Sequence, residues 1–106
     1  MVNKSTNATH PGEVIKDELN ARGIQQKDFA RSIGVPYTML NDLLNERRPL
    51  SAAVALYIEA SLGISADLLM GLQVDYNMKI ARQNTEIRRR IQLVKSYSVH
   101  RLECLS

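Results

Sequence analysis

Residues 25–45, QQKDFARSIGVPYTMLNDLLN, hold two runs of helical spacing on either side of one glycine. Phe29, Ala30 and Ile33 recur at i, i+1 and i+4, which places them on one face of a helix from about Gln25 to Ile33. Leu40, Leu43 and Leu44 form the stripe of a second helix from about Pro36 to Asn45, and Pro49 stands shortly beyond its end. Gly34 is free to adopt the left-handed backbone that a sharp exit from the first helix requires.

Two helices joined by three or four residues that include a glycine are the layout of a helix-turn-helix, whose second helix enters the major groove of DNA. Such a unit needs a small residue where the helices touch, a residue tolerant of positive φ in the turn, and buried apolar side chains that set the angle. Ala30 meets the first need, Gly34 the second, and Phe29, Ile33, Val35, Leu40 and Leu43 the third. The outward positions of the second helix are then Pro36, Tyr37, Thr38, Asn41, Asp42 and Asn45. Asn41 and Asn45 are suited to bidentate pairing with adenine, Thr38 to a base edge or thymine methyl, and Asp42 to the amino group of cytosine. Tyr37 completes this base-facing set through stacking on sugar or a bond to phosphate. Arg47 and Arg48 follow the helix directly as phosphate clamps, and Ser51 joins them. Gln25 and Gln26 open the first helix, where unpaired backbone N–H groups also attract phosphate.

Outward from this pair the chain stays helical, with no alternation of period two. Pro11 suits a first helical position, Val14, Ile15 and Leu19 share a face, and Gly23 stops that helix. Ser51 caps a fourth helix carrying Val54, Ala55, Leu56, Ile58 and Leu62, an apolar set expected at the centre of the core. Ser65 caps a fifth, with Leu68, Leu69, Leu72 and Tyr76 facing inward, and no breaker follows Gly71, so an extended last helix is expected. Met39, Met70 and Met78 read as core filler. Ile80, Ile87, Ile91 and Val94 continue as one stripe, open to packing on the same domain, to dimerisation, or to docking a partner or DNA. The expected organisation is a disordered arm at 1–9, a helix-turn-helix domain at 10–82, and a C-terminal helix and tail at 83–106.

The chain has 106 residues, enough for one core, and 44% hydrophobic content to fill it. Its net charge is +3, but the excess is not where the base-facing helix lies. Residues 1–75 carry seven Lys or Arg against nine Asp or Glu, and residues 76–106 carry seven against two. With Asp42 and Glu46 also near any bound phosphate, discrimination has to come from base contacts and dimer geometry. The single cysteine, Cys104, allows no intrachain disulfide, which fits a reducing cytoplasm. A polar start and the lack of a long apolar run argue against export or membrane insertion. With His10 and His100 at opposite ends and no glycine-rich phosphate loop or metal-ligand spacing, neither an enzyme nor a cofactor or metal is expected.

Other motifs widen the reading. His10-Pro11-Gly12-Glu13, Gln26 with Phe29-Ala30, Ile33-Gly34-Val35, Leu43-Leu44-Asn45 with Arg47-Arg48, Ser51 to Gly63, and Leu72-Gln73 with Tyr76 resemble the helix-turn-helix antitoxins of the HigA and VapI type. These belong to the wider Xre or Cro/C1-like repressors. The resemblance implies an all-α, five-helix Cro/C1-like domain of the lambda-repressor kind, with an extended C-terminal helix. It further implies a cytoplasmic homodimer that represses its own operon at a palindromic operator on double-stranded DNA and masks an mRNA-cleaving toxin of the HigB type. An RNA-cleaving partner is expected to be basic, which the acidic Glu13, Asp17 and Glu18 of the first helix complement. Gln25, Pro36 and Glu46 depart from the family pattern, where a Ser or Thr cap, a Ser and a Gly are usual. A stand-alone repressor, and an interaction protein that neutralises a partner with little DNA binding, are the alternatives.

Overall fold

Short polar caps, prolines and left-handed residues set where each helix starts and stops. The computed structural model describes residues 9–105, with side chains through residue 97, and contains helices alone among them. They are α1 (Pro11–Arg22), α2 (Gln26–Ile33), α3 (Tyr37–Leu44), α4 (Ala52–Leu62), α5 (Ala66–Gln83) and α6 (Thr85–Leu105). The N-terminal arm expected at 1–9 lies, apart from Thr9, outside the described residues.

Side-chain caps start four of the six. His10 Nδ1 accepts from the Gly12 N–H at 2.9 Å, with Pro11 in the first turn of α1. Ser51 Oγ accepts from the Val54 N–H at 3.2 Å, and Ser65 Oγ from the Leu68 N–H at 3.1 Å. Asn84 Oδ1 accepts from the Ile87 N–H at 2.9 Å and opens α6. This last cap corrects the expected count. Six helices are present among the described residues instead of five, because Asn84 interrupts the run that was expected to continue. Its side chain offers the backbone an alternative to the helical ladder.

The described residues group into two compact units, one up to Tyr76 and one from Asn77. In the first, Ile15 and Leu19 of α1, Phe29 and Ala30 of α2, Leu40, Leu43 and Leu44 of α3, Val54, Ala55, Ile58 and Leu62 of α4, and Ala66 and Leu69 of α5 are buried together with Leu50. Each large side chain buried there contributes about 1.5–3 kcal/mol. Two expectations need correction. Leu56 and Leu68, read as inward, are each 57% exposed. α4 is apolar nearly all round, so its sequence does not distinguish the covered face from the bare one. In α5, Leu68 sits one residue, or about 100° of helix, from the fully buried Leu69. Met39 and Met70 pack against the core, whereas Met78 is exposed.

Candidate nucleic-acid interface

α2 and α3 are joined by Gly34, Val35 and Pro36 alone. Gly34 has φ of 73°, and a Cβ built there would meet nothing within 4 Å, so the turn selects glycine by backbone conformation and not by space. The Val35 N–H donates to the Ala30 carbonyl at 3.0 Å and closes the end of α2. Phe29, Ala30, Leu40 and Leu43 are buried, and Ile33 and Val35 are half-buried against the same core. The mutual angle of the two helices is thereby held by packing on one side, which leaves the other side of α3 uncovered.

That uncovered side carries Tyr37, Thr38 and Asn45, all exposed, with Asn41 and Asp42 half-exposed beside them. Asn45 Nδ2 donates to the Asn41 backbone carbonyl at 2.9 Å and to Asn41 Oδ1 at 3.1 Å, so one carboxamide orients the other. Asp42 Oδ1 accepts from Arg47 Nε at 3.3 Å, with Arg47 Nη2 at 3.2 Å. The carboxylate and the nearest guanidinium thus compensate each other. Arg48 is exposed.

The start of α2 lies beside this face. A cleft of about 550 Å³ is lined by Gln25, Gln26, Lys27 and Tyr37, among others. Gln25 makes no side-chain cap, which leaves the first-turn N–H groups of α2 without a side-chain acceptor. Gln26 is half-buried, and its Oε1 has no hydrogen-bond partner among the described residues. Ser51 is exposed, with its oxygen engaged in capping α4.

Three features brace α3 and the loop behind it. Gly12 packs so closely on α3 that an added Cβ would lie 2.1 Å from the Leu43 carbonyl oxygen. Buried Gln73 of α5 accepts from the Leu50 N–H at 2.7 Å through its Oε1, which ties down the loop carrying Arg47 and Arg48. Buried His10 meets Tyr76 edge-on, with ring centroids 4.7 Å apart. Burial lowers the His10 pKa from 6.5, partly opposed by the field of Glu46 and a hydrogen bond to the Arg48 backbone. His10, Gly12 and Gln73 stand in the sequence as motif residues alone, and Tyr76 as an inward-facing one; in the structure Gly12 packs α1 on α3, Gln73 ties α5 to the loop after α3, and Tyr76 ties it to His10. Their spacing was the available signal.

Glu46 is the other feature that side-chain periodicity misses. Its φ is 63°, the one positive value at a non-glycine among the described residues. Glu46 N–H donates to the Leu43 carbonyl at 3.0 Å and Arg47 N–H to the Asp42 carbonyl at 2.8 Å, the paired bonds of a left-handed helix ending.

Of the stripe Ile80, Ile87, Ile91 and Val94, every member is exposed, between 41% and 52%. No group of three or more His, Cys, Asp or Glu among the described residues is placed to hold a metal ion. No helix among them is long and apolar enough to cross a membrane.

Comparison with known proteins agrees with this geometry. Residues 15–69 match the family HTH_3, helix-turn-helix. Virulence-associated protein I of Dichelobacter nodosus is 29% identical over 80 residues, which cover 74% of each chain. An antidote protein of a plasmid maintenance system from Nostoc punctiforme is 27% identical, with a TM-score of 0.72 over 83% of this chain and 96% of that one. The antitoxin HigA of Pseudomonas aeruginosa, solved with the higBA promoter, is 33% identical, with a TM-score of 0.67 over 71% of this chain and 83% of that one.

Proposed function

This chain belongs to the helix-turn-helix family HTH_3, and from that premise we propose that it is an antitoxin that represses its own operon. A homodimer binds a palindromic operator, with α3 of each copy in the major groove, and neutralises an mRNA-cleaving toxin of the HigB type. The observation that carries the DNA half of the reading is the bare polar face of α3, held by a buried face opposite and followed at once by Arg47 and Arg48.

In this reading Asn41, oriented by Asn45, pairs with adenine, while Tyr37, Thr38 and Asp42 contact neighbouring base edges. Arg47, Arg48, Ser51, Gln25 and Gln26 hold the flanking phosphates and fix the register. The likeness to antitoxins supports the toxin half, and the acidic residues of α1 offer a surface for a basic partner, with Asp17 exposed and Glu18 already bonded to Arg22 at 2.7 Å. A second reading, a stand-alone repressor, draws on likeness to a protein named as an HTH-type transcriptional regulator in Escherichia coli.

Selection of bound duplexes from a random pool at two salt concentrations tests the operator. An enriched inverted repeat with half-sites one helical turn, or a multiple of it, apart supports the dimeric reader; salt-sensitive binding without enrichment contradicts it. Expression beside the neighbouring reading frame separates antitoxin from stand-alone repressor. Rescue of growth from a toxic neighbour supports the first, and a harmless neighbour supports the second.

A further inference from the structure

α6 presents a surface that operator reading does not use. At about 100° per residue, Ile87, Ile91 and Val94 fall within roughly 60° of one another, and all three are exposed. Arg90 stands on one shoulder of this seam, and Arg88 and Lys95 stand on the other. The three cations are exposed and form no ion pair with a described residue. Glu86, the one acid between Thr85 and Tyr97, is paired with Arg89 on the side of the helix shared by Ile87, Arg90 and Ile91.

We propose that this face of α6 docks a partner protein whose matching surface is an apolar groove rimmed by carboxylates. The charges select that occupant. A second copy would set Arg88, Arg90 and Lys95 against the same cations of its mate, and like charges flanking an apolar seam oppose pairing. A nucleic-acid backbone would satisfy the cations but leave three branched apolar side chains facing phosphate and water, with no area buried. Carboxylates at the rim satisfy the guanidinium groups, by paired hydrogen bonds where geometry permits, while the groove covers the seam. The surface differs in sign from the acidic α1 face assigned to a basic toxin, and it does not depend on operator binding.

The test uses the full chain and two synthetic helical peptides with the same leucine seam, one flanked by glutamates and the other by lysines. Fluorescence anisotropy is expected to show at least tenfold tighter binding of the glutamate peptide. Combined Arg88→Glu, Arg90→Glu and Lys95→Glu changes reverse that preference, and Ile91→Asp weakens the glutamate peptide at least tenfold. All four positions are exposed, and circular dichroism checks that the helix persists. Equal binding of both peptides, or of neither, overturns the proposal. So does a sedimentation dimer that Ile91→Asp converts to monomer, which would assign the seam to a second copy. Loss of affinity for a random duplex in the Ile91→Asp variant would also overturn it, by assigning the seam to nucleic acid.

Discussion

Glu46 takes a left-handed backbone at φ of 63°, a conformation that costs a side chain about 1–2 kcal/mol and costs glycine almost nothing. Glu46→Gly is therefore expected to raise unfolding stability by about 1 kcal/mol, the rest being offset by the greater freedom of glycine in the unfolded chain. Urea denaturation checks it, and an unchanged or lower midpoint contradicts the strain. A second residue-scale effect comes from His10, whose neutral form both burial and the Gly12 cap favour. A base with a lowered folded pKa contributes stability that is complete above the unfolded value of about 6.5 and is lost as pH falls from there toward the folded value. Denaturation midpoints between pH 7.5 and 5 are expected to fall with acid, and His10→Asn, which keeps a capping oxygen, to flatten that slope. Asp42 supplies a third. Its pairing with Arg47 at 3.2 Å competes with phosphate, so Asp42→Asn is expected to tighten non-specific DNA binding and steepen the salt dependence by up to about one unit of log slope. An unaltered slope would mean that Arg47 does not reach phosphate.

At the scale of elements, α1 and α3 touch where Gly12 meets the Leu43 carbonyl. A methyl group at 2.1 Å from that oxygen forces the helices apart, and Gly12→Ala is expected to cost about 3 kcal/mol in thermal or chemical unfolding. Near-native stability would show that the contact yields. The α2–α3 pair was legible in the sequence because its apolar residues recur on one face and Gly34 stands where the backbone turns left-handed. The caps at Ser51 and Ser65 were legible for a similar reason, since a hydroxyl before an apolar run has one obvious acceptor role. Leu56 was not, because a helix apolar on all sides carries no directional signal. The break at Asn84 was not, because asparagine is only mildly unfavourable within a helix and its capping bond competes narrowly with continuation. At the site, the residue types on α3 were readable, but the Asn45 bond to Asn41 and the Asp42 pair with Arg47 depend on rotamers that spacing does not specify.

Over the whole molecule, the basic excess lies beyond residue 75, away in sequence from α3. This distribution makes specific contacts, and not a general positive field, the source of any operator preference. The central claim is that α3 reads bases while the loop behind it holds phosphates. The most direct measurement compares wild type, Asn41→Ala and Arg47→Ala on the selected operator and on a scrambled duplex, across a salt series. The account predicts that Asn41→Ala loses about 1–3 kcal/mol on the operator alone and relaxes one base position, whereas Arg47→Ala weakens both duplexes alike and lowers the salt slope by about one. Equal losses on both duplexes for Asn41→Ala, or no loss at all, would contradict base reading by α3.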